Sequence, residues 1–263
     1  MNATAILLGL ALMIVTMGVL WFVQRRTGDA GIVDVGWSAG MGLLAVLAAV
    51  AGDGLPARRW LLAVLAGAWS LRLAVYLLRD RLLAGEEDGR YRMLREAWGE
   101  RTQPYLFGFF QAQALLAVVL ALPFFVVAET GSELGLLDWL GLAIWIVAVA
   151  GESLADFQLS RFRREPGHRG RTCRRGLWRY SRHPNYFFEW IHWWVYPCLA
   201  AGSGLWPVTL LGPGLMLVLL FRVTGIPYTE KRALVTRGED YRRYQRETSA
   251  FFPWFPRSEE NET

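Results

Sequence analysis

Stretches of about twenty apolar residues recur along this chain, and they constrain its fold more than anything else in it. A helix needs ~20 such residues to cross the hydrocarbon core of a bilayer. Only bonds inside a helix or a closed barrel satisfy the backbone there. Seven stretches qualify: 4–23, 32–51, 60–79, 108–128, 137–157, 186–202 and 205–222. The last two are joined by a glycine-rich turn at Gly202–Gly204 and read as a helical hairpin. Composition agrees, with 54% of 263 residues apolar or aromatic and 19% charged. An ordinary soluble domain runs nearer ~45–50% and ~25%. The expected fold is all-α: one polytopic membrane domain, residues 1–263, with seven transmembrane helices.

The basic residues assign the sides. The formal charge of +5 could suggest a nucleic-acid binder, but the arginines cluster between long uncharged stretches. No segment reads as a soluble basic domain, so no nucleic-acid partner is expected. The first stretch has no basic segment before it and is followed at once by Arg25 and Arg26, so it reads as a retained span with its N-terminus outside. With that orientation the cytoplasmic segments hold two, six, nine and eight of the 28 basic residues. These lie at Arg25–Arg26, between Arg79 and Arg101, between Arg161 and Arg182, and from Arg222 onward. Arg58 and Arg59 fall outside, and Arg72 lies within a span. Positive charge concentrates on the cytoplasmic side of membrane proteins, which puts the C-terminus in the cytoplasm. The membrane is a bacterial inner membrane, or the endoplasmic reticulum in a eukaryote.

Several chemistries are excluded. Two cysteines, Cys173 and Cys198, make neither a disulfide framework nor a cysteine zinc site. Three histidines lack ligand spacing, and no phosphate-binding glycine motif follows a strand. No metal is expected. Gly36 and Gly40 form a GxxxG whose expected role is helix packing.

Polar residues inside spans face a bundle interior or a wet cavity. Here Asp34, Arg72, Tyr76, Gln111, Gln113, Glu152, Asp156, Asn185, Glu189, His192 and Arg222 all fall in the cytoplasmic part of their spans. A transporter places its site near the midplane. This pattern instead suits an enzyme cavity that opens to the cytoplasm above an apolar floor.

Two cytoplasmic segments are dense in chemistry, one from Asp156 to Tyr186 and one from Pro227 to Pro256. Nine arginines in the first can hold an anionic ligand or lipid headgroups. Tyr180, His183, Asn185 and Glu189 accompany them, a set of donors and acceptors that headgroup attraction does not require. Pro184 suits a first helical turn, whose free N–H groups favour an anion. Asn185 and Glu189 share a helix face. Tyr241 and Tyr244 read first as packing residues and second as cofactor contacts.

These residues resemble those of the DUF1295 group of membrane proteins, related to the steroid 5-alpha-reductases and more distantly to isoprenylcysteine carboxyl methyltransferases. The resemblance rests on D-V-G-W at Asp34–Trp37, R-H-P-N-Y-F-F-E-W at Arg182–Trp190 and the tail P-Y-T-E-K-R…E-D-Y…F-P. It is strongest from Asp156 to Pro256. It implies an NADPH-dependent reduction of the C=C bond of a 3-oxo-Δ4-steroid or similar enone lipid, which would enter from the bilayer.

The implied NADPH set is Asp156, Arg163, Arg171, Arg174, Tyr180, His183, Asn185, Glu189, Tyr228, Glu230, Lys231 and Tyr241. Asp34 is the nearest acid to the reductases' catalytic glutamate. Asp34 or Tyr76 would polarise the ketone, where negative charge develops. Arg72 would hold Asp34 ionised or fix its geometry, in which case Tyr76 is the better donor. Trp37, Trp69 and Gln111 are the expected substrate contacts. Membrane lipids are further partners, and a monomer is expected. An S-adenosylmethionine-dependent methyltransferase and a non-catalytic lipid- or partner-binding protein are the alternatives.

Overall fold

The computed structural model describes residues 1–79, 87–168, 170–223 and 225–257. Arg81 and Arg169, counted among the cytoplasmic basic residues, and the acidic tail 258–263 lie outside the described residues. The described residues are helical without strands, and six of their helices are long and apolar enough to cross a membrane. The contacts cluster into two compact units, residues 1–138 with 196–212, and 139–195 with 213–263.

The first unit begins with α1 (Ala3–Thr27), α2 (Ile32–Ala51) and α3 (Pro56–Leu77). The polar α4 (Gly89–Trp98) and the long α5 (Thr102–Ala128) follow. Glycines set how closely these helices approach. A Cβ on Gly36 would fall 2.0 Å from Leu20 Cδ1, and one on Gly40 2.5 Å from Met13 Cε, both on α1. The GxxxG therefore packs α2 on α1, as its spacing implied. α2 and α3 are joined by a polar stitch: Ser70 Oγ donates to Ser38 O at 2.5 Å and accepts from Gly42 N at 3.0 Å. The other faces are apolar and exposed, with Leu8 58% and Val50 67% accessible.

At the turn between α2 and α3, Gly54 N donates to Ala128 O at 2.9 Å. There Arg58, 1% exposed, donates all five of its N–H groups. Two go to Asp138 as a bidentate pair at 2.9 Å each. The others go to the carbonyls of Thr130, Ser132 and Glu133 at 3.1, 2.5 and 3.1 Å. A buried guanidinium is tolerable only when satisfied in this way.

The second unit holds most of α6 (Leu136–Arg164), then α7 (Pro184–His192), α9 (Leu211–Val218) from Pro213 on, α10 (Ile226–Arg237) and α11 (Glu239–Glu247). The expected span 186–202 is not one helix. It is α7, a turn at Trp193–Trp194, and the short α8 (Val195–Leu199). Pro197 explains the break, because proline lacks an N–H and its ring clashes with the carbonyl four residues earlier. Pro207 and Pro213 fall in the first turns of the 3-10 segment Trp206–Leu210 and of α9, where a missing N–H is tolerated.

Candidate functional site

In the first unit the polar residues gather around Asp34, in the first turn of α2. One carboxylate oxygen accepts from Arg90 Nη2 at 2.7 Å and the other from the Tyr91 hydroxyl at 2.9 Å. Both partners sit on α4, a helix started by Asp88, whose Oδ1 accepts from Arg90 N at 2.9 Å. α4 is itself held by Arg95, which donates to Glu87 Oε1 at 3.1 Å, Gln24 Oε1 at 3.0 Å and Gly28 O at 2.9 Å. Both oxygens of Asp34 thus accept hydrogen bonds from α4. Arg72 lies over the Tyr76 ring, 6.0 Å from its centroid.

The expected substrate contacts divide. Trp69 is fully buried in the packing of α3. Trp37 and Gln111 each bury a polar atom without a hydrogen-bond partner, the indole N–H of Trp37 and the side-chain carbonyl of Gln111. Trp37 lies three residues after Asp34, so the two share a face of α2.

In the second unit the segment before α7 and the tail from α10 onward are knotted together. Arg182 donates from its backbone to Ser249 O at 2.9 Å and from its guanidinium to Glu230, Gln245 O and Thr248 O at 2.7, 2.9 and 2.8 Å. Trp254 N donates to Tyr180 O at 2.9 Å, and Ser181 Oγ to Phe251 O at 2.8 Å. The Tyr244 hydroxyl donates to the carbonyls of Trp178 and Ser181.

Glu230 is the centre of this knot. It also meets His183 Nε2 at 3.3 Å and accepts from Gln245 at 2.8 Å. Burial pushes its carboxyl up, but the hydrogen bonds from His183, Arg182 and Gln245 and the Arg182 charge outweigh this and hold it at about 2. Burial depresses the His183 imidazole despite Glu230. A second pair of clasps joins Arg174 to Asp240 and Glu247, each at 3.0 Å. Some burial opposes it, yet the Thr172 hydrogen bonds and the Arg174 and Arg237 charges keep Asp240 below the usual carboxylate range.

The implied cofactor residues therefore fall into two groups. Arg174, His183, Glu230 and the buried Tyr241 are engaged with one another and with the tail. Tyr180 stands edge-on to Phe255 at 6.0 Å. Asp156, Asn185 and Glu189 form the other group: Asn185 Nδ2 donates to Asp156 Oδ1 at 3.3 Å, and Glu189 accepts from Trp193 Nε1 at 3.0 Å. Arg163, Arg171 and Lys231 are exposed, and Tyr228 is half-buried. Acceptors at the start of α7 with exposed guanidiniums upstream suit a ligand that carries both phosphate and amide or hydroxyl groups.

Arg90, Tyr91 and the Arg58 clasp are absent from the sequence reading. The signal for α4 was present in Asp88, a residue type that caps helices, but its partner Asp34 is 56 positions away from Arg90.

No solved structure matches this chain. The uncharacterized protein C594.04c of Schizosaccharomyces pombe is 28% identical to it, with 96% of this chain and 80% of the yeast protein covered. A family model described as a protein of unknown function, DUF1295, matches residues 20–248. With that match over most of its length, the chain belongs to the DUF1295 family.

Proposed function

We propose that this protein is an NADPH-dependent reductase of the C=C bond of a 3-oxo-Δ4-steroid or similar enone lipid. The observation that carries the reading is the meeting of Asn185 with Asp156 at 3.3 Å. It joins two residues that the resemblance to steroid 5-alpha-reductases implies for the cofactor, from segments 29 positions apart. Bound NADPH would supply the hydride, and the protein's share is to bind, orient and shield it. Asp156, Asn185 and Glu189 would take its amide and hydroxyl groups, with Arg163 and Arg171 on its phosphates. Arg174, His183, Glu230 and Tyr241, bonded within the loop and tail, would hold that segment in place.

Trp37 and Gln111 support the substrate side. An unpaired buried N–H in an apolar bundle suits an oily ligand whose polar tip accepts a hydrogen bond, and the Gln111 carbonyl would accept from a hydroxyl or amide elsewhere on it. Trp37 donates to the ketone oxygen, where charge develops. Asp34 positions this face of α2 through Arg90 and Tyr91, and Tyr76 remains the second candidate donor. The α-carbon takes its proton from water.

The same reading carries the topology. Residues 180–182 and 249–254 are bonded to one another, which supports putting both on one side of the membrane. The chain between them would then leave and return in two crossings. The broken stretch 184–199 then counts as one of them, giving seven spans with the N-terminus outside and the C-terminus in the cytoplasm, in accord with the basic residues.

A thermal-shift series tests the cofactor. NADPH should raise Tm more than NADH or S-adenosylmethionine, and Asn185→Ala should remove most of the rise. A shift with S-adenosylmethionine and none with NADPH would replace the reductase by the methyltransferase.

A further inference from the structure

The C-terminal end of α6 has two faces with different chemistry. Asp156 and Arg163, seven residues apart, share the face assigned above to the cofactor. At about 100° per residue, Leu154, Gln158 and Arg161 lie on the opposite face. A groove of about 400 Å³ opens there, lined by Leu154, Phe157, Phe162, Arg161, Glu165 and Arg175 among others.

Its polarity runs along the helix. Leu154 and Phe157 are 46% and 60% exposed, an apolar surface continuous with the exposed Ile146 and Val147 above it. One turn on, where the apolar stretch of α6 ends, stand Arg161 and Arg175, both exposed. The far wall is built rather than loose. Leu177 N donates to Gln158 Oε1 at 2.9 Å, fixing the loop to the helix. Gly176, at φ 59°, lets the loop approach so closely that a Cβ would fall 2.4 Å from the Gln158 amide.

We propose that this groove binds a phospholipid of one net negative charge, with its phosphate between Arg161 and Arg175 and an acyl chain along Leu154 and Phe157. A chain of carbons next to a phosphodiester matches an apolar wall next to two guanidiniums, at the depth where a span leaves the hydrocarbon. Glu165 sets the charge. It lies 3.9 Å from Arg175 and 3.0 Å from His168, so it orients Arg175 and disfavours ligands with several phosphates. That separates this site from one for a dinucleotide, and it stands whether or not the reductase reading does.

Native mass spectrometry of the full-length protein, exchanged into equal phosphatidylglycerol and phosphatidylcholine, tests the site. Wild type should retain phosphatidylglycerol preferentially. The pair Arg161→Glu with Arg175→Glu should lower that retention roughly tenfold or more with Tm unchanged, since both side chains are exposed. Phe157→Asp should do the same from the acyl end, and saturating NADPH should leave the bound lipid in place. Equal retention of the two lipids, unchanged retention in the charge-reversed pair, or displacement by NADPH or inorganic phosphate would overturn the proposal.

Discussion

An unpaired polar atom inside an apolar bundle costs about 1–3 kcal/mol, so the Trp37 N–H and the Gln111 carbonyl are retained at a loss unless a ligand meets them. A structural tryptophan and a ligand-binding one respond differently to losing that N–H. Trp37→Phe removes the unpaired donor, so unfolding temperature should hold. The kcat/KM for an enone lipid should fall about three- to tenfold, the worth of one neutral hydrogen bond. A fall in Tm with unchanged kcat/KM would make Trp37 a packing residue. Gln111 was legible as a polar group in an oily stretch, which is conspicuous without any partner, and Trp37 only through the D-V-G-W motif of the resemblance. The Asp34 cluster was legible only by one member. Which of the chain's many arginines and tyrosines would reach Asp34 is decided by tertiary packing of α4, 56 and 57 positions along.

At the scale of elements, glycine decides how α7 meets α6. A Cβ on Gly151 would fall 2.4 Å from the Phe188 ring, so any larger residue must push α7 away and part Asn185 from Asp156. Gly151→Val should therefore weaken the NADPH-induced thermal shift, and adding Phe188→Ala should restore much of it. A double-mutant cycle measures this coupling directly, and additive effects would show that the two helices do not communicate through this contact. The spans that the sequence defined best are those with uninterrupted apolar patterns; α2 begins and ends where its stretch does, at Ile32 and Ala51. The stretch 186–202 misled because hydropathy counts proline and tryptophan as acceptable membrane residues. Helix continuity depends on the N–H that Pro197 lacks.

For the whole molecule, the loop and the tail must share a side if they are bonded to one another. In a chain with Cys173 and Cys198 replaced, Arg179→Cys and Val235→Cys should react with an impermeant thiol reagent from the same side, and Asp53→Cys from the other. Labelling of the first two from opposite sides would reduce the crossings to six. Charge counts predict this alternation without any coordinates, since arginines mark one side whatever the helices do. The Arg58 clasp, by contrast, obeys no local pattern. Its partners are 72 to 80 positions downstream, so the guanidinium of α3 is translated long before anything can neutralise it. Until residue 138 has been synthesised, the third helix carries an uncompensated cation at its end. The clasp therefore gives the bundle an order of assembly: its third helix is sealed only after the turn beyond its longest neighbour has emerged.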